Sequence, residues 1–169
     1  MKKRLLIYLQ KVMLIACMIF IYQAASGIEA TNETIISIQK FGVLPENTAE
    51  VNRVNLQKTI DWATLRGAAL FVEPVEKPYE VASGIILKKN VSLVGVHGPV
   101  PRGTRHPDKP QPVGSVFAIR GTNLPFITVE TGTQIKGIQF WYPEQTIKDS
   151  SKIIEYPPTI QVSKTSSTQ

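Results

Sequence analysis

The sequence has very little cysteine: the single one, Cys17, lies in an apolar run that follows a basic start. This run, Val12–Tyr22, is too short to span a bilayer but suits the apolar region of a secretory signal. Small residues follow it, so the pattern predicts a signal peptide over residues 1–27 that is cleaved after Gly27. The cleaved chain would contain no cysteine, which excludes disulfides and thiolate chemistry.

Two other fates of this segment stay open at the level of sequence. Without cleavage it would anchor the chain in a membrane. Alternatively Cys17, which Leu-Ile-Ala precedes, would be lipidated as in a bacterial lipoprotein. Lys11 and the apolar residues after Cys17 favour cleavage over lipidation. We therefore expect a secreted protein, in the extracellular space, the periplasm or at the cell surface, with no stable membrane span once the signal is removed.

Excess positive charge is also scarce in the mature chain. The whole sequence carries 19 Lys and Arg against 13 Asp and Glu, but four of the basic residues belong to residues 1–27. Fifteen basic and thirteen acidic residues then remain, which is a net charge of about +2. No basic helix accompanies this small excess, so we expect no nucleic-acid partner.

Helical periodicity occurs only once, within residues 28–66. The segment "IISIQKFGV" alternates enough to predict a short strand that ends at Gly42. From about Asn52 the pattern predicts an amphipathic helix of about four turns, with Asn52 as its N-cap and Gly67 as its stop. The polar side of the helix would carry Asn52, Asn55, Lys58 and Asp61, and the apolar side would carry Leu56, Ile60 and Ala63, with Trp62 near its border.

Residues 67–162 are rich in Gly and Pro and contain short apolar runs instead of a second helix. The Asn-Gly and Asp-Gly pairs that favour tight hairpins are absent from their connections, so we expect the runs from Tyr79 to Val96 to wind forward instead of folding back as hairpins. Val91, Val116 and Ile138 begin comparable runs at two similar intervals, which is the spacing that the coils of a parallel solenoid require. Because the period is loose, an antiparallel sandwich remains an alternative. Residues 163–169 form a polar tail.

Several local features follow one another in an informative order. Phe41-Gly42 leads to the helical segment "NRVNLQKTIDWA", then to a Gly-rich first strand, to Pro78-Tyr79 and to "NVSLVG" at 90–95. In the order of these features the chain resembles the pectate-lyase-like superfamily over most of its mature length. The resemblance implies an all-β solenoid, a short right-handed parallel β-helix of about four coils with an N-terminal capping α-helix. Here "LPENTAEVN" replaces the Asp-rich turn of that superfamily, so no role of that turn is carried over.

The resemblance also implies a polysaccharide partner, since the superfamily includes pectate lyases, polygalacturonases, rhamnogalacturonases, epimerases and tailspike depolymerases. None of their catalytic motifs matches residues of this chain, so catalytic residues stay unknown and enzymatic activity is undecided. We predict the N-terminal portion of a polysaccharide-active protein, a lyase or glycoside hydrolase on acidic polysaccharide, whose catalytic coils lie outside this chain. The alternatives are a non-catalytic carbohydrate-binding or adhesive module and an inactive truncated remnant. Further coils or another subunit of an oligomer would cover the C-terminal end.

Groups for general acid-base or metal chemistry are few. Glu130 and Glu144 are the only carboxylates that can be paired as an inverting hydrolase requires, and solvated surface acids are the favoured interpretation. His97, His106 and Asp108 have no spacing that would place them on one face, so we expect no metal site and no cofactor.

The strongest binding candidates are a long connection and one tryptophan. The connection His97–Gly114 contains five prolines, and its basic residues could pair with the carboxylates of an acidic sugar polymer. These residues are Arg102, Arg105 and Lys109. Trp141 would lie on the outward side of its strand, where an indole can stack on a sugar ring. The alternatives are a tolerated insertion for the connection and, for Trp141, a cover formed by a nearby segment such as "EYPPT".

Overall fold

The computed structural model describes residues 34–98, 114–145 and 150–163. Within these ranges one α-helix, α1 (Ala49–Thr64), and two short 3-10 turns (Ile38–Phe41 and Ser150–Lys152) accompany ten short strands. The strands are β1 (Ile35–Ser37), β2 (Ala69–Val72), β3 (Tyr79–Ala82), β4 (Ile85–Leu87), β5 (Ser92–Gly95), β6 (Ser115–Arg120), β7 (Ile127–Val129), β8 (Gln134–Lys136), β9 (Ile138–Trp141) and β10 (Ile160–Val162).

The strands form three sheets in which every pairing is parallel. Sheet A has the order β1-β2-β5-β8, sheet B has β3-β6-β9, and sheet C has β4-β7-β10. From β2 onward the chain visits sheets A, B and C in a fixed rotation, and each later strand pairs with the strand three elements before it. This mostly parallel arrangement with one helix is compatible with a β-solenoid. The antiparallel sandwich is wrong.

The stretch 79–95 shows how the chain winds forward. Its strands β3, β4 and β5 lie in three different sheets, so none of them pairs with its sequence neighbour. Gly84 and Asn90 lie at the corners between them, with φ angles of 97° and 62°. The left-handed backbone at these residues turns the chain sharply into the next sheet. The prediction that these runs do not fold back as hairpins is confirmed.

The predicted coil spacing is only partly right. Ile138 pairs with Ser115, the immediate neighbour of the expected partner Val116. Val91, by contrast, directly precedes β5 of sheet A, whereas Val116 lies in β6 of sheet B. Ser92 pairs with Gln134, almost two of the expected intervals later in the chain. The spacing of the apolar runs suggested the wrong pairing for Val91, because the connection from β5 to β6 is nearly as long as one expected interval. The described ranges therefore contain three passes through the sheets beyond Gly67, where about four coils were expected.

Alternate residues of the strands fill the space between the three sheets. The fully buried members of this core include Leu70, Val72, Tyr79, Val81, Ile85, Leu87, Phe117 and Ile127. The Tyr79 hydroxyl accepts a hydrogen bond from Gln39 Nε2 at 2.7 Å. Burial is the main reason that the pKa of Tyr79 is raised to about 12, and the bond from Gln39 opposes this shift. The polar tip of this core side chain is thus satisfied.

The first strand is shorter than predicted. It ends at Ser37, whose hydroxyl accepts a hydrogen bond from the Gln39 N–H at 3.0 Å. That bond favours the 3-10 turn Ile38–Phe41 over extended backbone, and Gly42 ends the turn with a φ of 79°. The predicted strand up to Gly42 is therefore wrong in its second half.

Helix α1 begins earlier than the periodicity predicted. The Thr48 hydroxyl accepts a hydrogen bond from the Val51 N–H, so Thr48 is the N-cap and the assignment of Asn52 as N-cap is wrong. The helix ends where expected, because the Ala68 N–H donates to the Ala63 carbonyl across Gly67, whose φ is 63°. The apolar side was predicted correctly: Leu56, Ile60 and Ala63 are completely buried.

Two side-chain amides of α1 bind the strand edges that face the helix. Asn52 is completely buried, and its Nδ2 donates to the carbonyl of Glu80 in β3 at 2.9 Å. Gln57 accepts from the Ile86 N–H at 2.9 Å and donates to the Ile86 carbonyl at 3.1 Å. Because β3 and β4 are the first strands of sheets B and C, these amides replace the hydrogen bonds of a preceding strand. Asn52 consequently lies on the buried side of α1, and its predicted solvent-facing position is wrong.

The opposite end of the sheets is less covered. Ile85, Ile127 and Ile160 form one column across sheet C, and their exposed fractions are 0%, 0% and 44%. Val162, in the same final strand, is 73% exposed. Burial is thus complete beside the helix and decreases toward β8, β9 and β10, the last strands of their sheets.

Candidate functional site

The outward side of sheet B brings together the most side chains suited to binding. Because Tyr79, Phe117 and Phe140 point into the core, the residues that alternate with them lie on the opposite side. We call this surface the B face. Its members are Glu80 and Ala82 of β3, Val116, Ala118 and Arg120 of β6, and Gln139 and Trp141 of β9.

Trp141 lies on the B face, as its position in the strand predicted. Ile138, Phe140 and Tyr142 pack against the core, so the indole points away from it. The side chain is half-buried, and Ala118 is its register partner in β6. Tyr156 of "EYPPT" contacts the ring of Tyr142 at a centroid distance of 4.4 Å. Trp141 therefore exposes part of its indole ring beside the small side chain of Ala118.

Arg120 is held on the same face between two carboxylates. Its Nη2 lies 2.8 Å from Glu80 Oε1, and its Nη1 lies 2.9 Å from Glu144 Oε1. The hydrogen bond to Glu80 is the largest cause of the raised pKa of Arg120, and the bond to Glu144 adds to it. All three side chains are one third to one half exposed, so each ion pair contributes at most about 1 kcal/mol. The result is a fixed but solvent-accessible guanidinium.

The described ends of the long connection meet at one point of the body. His97 and Gly114 form an isolated antiparallel bridge. Beside it, the buried Ser115 hydroxyl accepts from the Val96 N–H at 2.7 Å and donates to the Val72 carbonyl at 2.6 Å. The two described ends of the connection are therefore joined to each other and, through Ser115, to β2. We call this junction, formed by His97, Gly114 and Ser115, the neck.

This neck lies at the B face. Gln139 Nε2 donates to the Gly98 carbonyl at 3.2 Å, and Gln139 precedes Trp141 by one outward position. Val116, the register partner of Gln139, is completely buried. The B face thus has a covered end beside Gly98 and an accessible end with Trp141 and Arg120.

The structure places only one of the predicted binding residues. Trp141 lies on the B face, whereas Arg102, Arg105 and Lys109 lie outside the described residues and remain predictions. His106 and Asp108 lie outside them as well. Among the residues that are described, no group of three or more His, Cys, Asp or Glu side chains could hold a metal ion.

The candidate carboxylate pair is not brought together. Glu130 follows β7 of sheet C, and its Oε2 accepts from the Lys89 N–H at 3.0 Å. Glu144 follows β9 of sheet B and binds Arg120. The two acids belong to different sheets, and each has a structural partner, so the geometry of an inverting hydrolase is not formed by them.

Sequence reasoning missed Glu80 and Arg120. Glu80 lies between Tyr79 and Val81, and Arg120 directly follows the apolar run that ends at Ile119, which was a usable signal. Their meeting depends on the register of β3 and β6, in which Glu80 pairs with Ala118 and Ala82 with Arg120. A pattern along one strand does not contain this register.

Comparisons with known proteins returned no match: none among family models, none among curated proteins and none among solved structures. No helix in the described part of the chain is long and apolar enough to cross a membrane.

Proposed function

We propose that this chain forms the helix-capped N-terminal portion of a secreted polysaccharide-active protein, built as a right-handed parallel β-helix similar to the pectate-lyase-like superfamily. The observation that carries the proposal is the fixed rotation of parallel strands through sheets A, B and C behind a capping helix. The sequence features from Phe41-Gly42 to "NVSLVG" support the same superfamily. Its substrate would be an acidic polysaccharide, cleaved by a lyase or hydrolase reaction.

The burial gradient supports placing catalysis in further coils. An exposed end with apolar side chains and unpaired strand edges promotes aggregation unless something covers it. Ile160 and Val162 are 44% and 73% exposed on the core side of β10. Additional coils stacked on β8, β9 and β10 would bury these residues, as Ile127 of β7 is buried where β10 pairs with it. A subunit of an oligomer would be the other means of covering them.

One experiment tests directly whether further coils follow Gln169. The DNA after the codon for Gln169 is sequenced and translated in the same frame. We expect further short apolar runs separated by Gly-rich corners, and we expect the longer protein to release unsaturated or reducing sugars from galacturonan. An immediate stop codon with no coils would contradict the proposal of missing catalytic coils.

A second candidate function is a carbohydrate-binding module without catalysis. The observation that favours it is the engagement of Glu130 and Glu144 by structural partners on different sheets. Affinity electrophoresis of residues 28–169 in gels with and without polygalacturonate tests binding. Retardation of residues 28–169, together with the absence of product release by the longer protein, would support the module, and the absence of retardation would contradict it.

Secretion is proposed from the basic start and apolar run of residues 1–27. Expression of the whole chain in a bacterium, followed by N-terminal sequencing of the exported protein, checks it. We expect the mature protein to begin at Ile28. A mature chain that begins at Cys17 with an attached lipid would support the lipoprotein alternative instead.

A further inference from the structure

We propose that Arg120 binds the carboxylate of an acidic sugar unit whose ring stacks on Trp141, and that Glu144 occupies this carboxylate position when the sugar is absent. The inference rests on the proposed polysaccharide function and assigns it a specific site. It also makes Glu144 an intramolecular competitor of the ligand, because its carboxylate occupies the position that the carboxylate of the sugar would take.

The register of sheet B places the two residues within reach of one sugar unit. Ala118 pairs with Trp141, so Arg120 lies two residues farther along the same outward side. Neighbouring strands are about 4.8 Å apart and two residues rise about 6.6 Å, which separates the two Cα atoms by about 8 Å. An indole surface and a long guanidinium side chain can contact one ligand across this distance. Stacking on the ring would orient the sugar, and the guanidinium would bind its acidic group.

The two carboxylates that bind Arg120 are not equivalent. Glu80 lies within β3, where backbone pairing to β6 fixes its position. Glu144 lies in the turn that follows β9, and its side chain is 48% exposed. Glu80 binds Nη2 and Glu144 binds Nη1. An incoming carboxylate can therefore replace Glu144 at Nη1 while Glu80 continues to hold the guanidinium.

The charges at this end of the B face determine whether removing the charge of Glu144 strengthens or weakens the binding of an acidic sugar. Glu80 and Glu144 together carry two negative charges against one positive charge on Arg120, so the three side chains repel an anionic sugar while Glu144 is in place. Replacement of Glu144 by the ligand costs little, because an exposed ion pair contributes little. Removing the charge of Glu144 should consequently strengthen binding of an acidic sugar.

Isothermal titration of residues 28–169 with trigalacturonate, and with its fully methyl-esterified form, tests the inference. We expect Glu144→Gln to tighten binding of trigalacturonate about two- to fivefold, the factor that an exposed ion pair accounts for. Arg120→Gln should weaken it about tenfold or more, since a charge-assisted bond is lost. Neither variant should change binding of the methyl ester, which lacks the carboxylates. Trp141→Ala should weaken both ligands.

The control variant is Glu76→Gln, which removes one negative charge from an exposed position in the connection between β2 and β3. It should bind as the unmodified protein does, and circular dichroism should show all variants folded. If trigalacturonate binds but the Glu144 and Arg120 variants match the unmodified protein, the inference is overturned and the proposed function stands. If neither trigalacturonate nor its methyl ester binds, the inference and the carbohydrate-binding module are both overturned.

Discussion

At the scale of single residues, two glycines mark a point in the described part of the chain where backbones come very close together. Val94 pairs with Lys136 across β5 and β8, so Gly95 and Gly137 follow side by side. A Cβ atom added to Gly137 would collide with the Gly95 carbonyl oxygen, and one added to Gly95 would collide with the side chain of Ser115. Neither position has room for a side chain, because the backbones of successive passes and Ser115 converge there beside the neck of the long connection.

Replacing Gly137 by alanine should therefore cost much more stability than replacing Gly67. Both glycines have left-handed backbone, with φ angles of 69° and 63°, but a Cβ on Gly67 would meet no atom within 4 Å. The left-handed conformation alone costs about 1–2 kcal/mol for alanine. We expect Gly137→Ala to cost about 1–3 kcal/mol more than this, through steric overlap. Urea unfolding of both variants measures the difference, and equal losses would contradict a close approach at Gly137.

At the scale of elements, α1 stabilises the fold by hydrogen bonds as well as by its apolar side. Asn52 donates to the carbonyls of Leu44 and Glu80 at 2.8 and 2.9 Å and accepts from the Leu44 N–H at 3.0 Å. A single amide thus joins α1 to the loop before it and to the first strand of sheet B. An apolar side chain of similar size would fill the space but satisfy none of these groups.

Substitution Asn52→Leu should lower the free energy of unfolding by about 3–5 kcal/mol, because each backbone group left buried without a partner costs about 1–3 kcal/mol. Chemical denaturation measures the loss. Lys58→Leu, at an exposed position of the same helix, is the matched control and should change stability by less than about 0.5 kcal/mol. Similar effects of the two substitutions would show that the Asn52 amide does not hold the helix to the strands.

At the scale of the whole molecule, the described strands are covered by α1 at one end of the sheets and are partly exposed at the other end. Ile85, Ile127 and Ile160 have the same side chain and are register partners across sheet C, so their burial can be compared directly. The first two are completely buried, and the third is 44% exposed. Stability should consequently be unevenly distributed, with the final strand contributing least.

The column provides a matched series of alanine substitutions. We expect Ile85→Ala and Ile127→Ala to cost about 2–5 kcal/mol each, as in other cores. Ile160→Ala should cost about 1 kcal/mol or less in the same chain, because much of its side chain is already in contact with water. In a longer protein or an oligomer that covers β10, the cost at Ile160 should rise toward that at Ile127. Thermal unfolding of each variant, alone and in the covered form, gives the comparison.

The strands were predictable because their sequence signals are local. Short apolar runs bounded by Gly, Pro and polar corners located nearly all of the strands at least in part, and the runs from Tyr79 to Val96 were correctly expected to wind forward. β8 was missed, since "QIK" has only one apolar residue to mark it. Asn52 was misplaced because polarity is a poor guide to burial where an amide has backbone partners inside the protein.

The amino-acid sequence by itself determined the short strands, the single capping helix and the outward position of Trp141, because periodicity, Gly corners and alternation act between near neighbours in the chain. Only the tertiary structure decided which strands pair and which outward side chains meet. Ser92 pairs with Gln134 although β6 and β7 lie between them in the chain, and Arg120 meets Glu80 and Glu144 from three separate segments. Such meetings depend on register and on the lengths of the connections, which a pattern along one segment does not specify.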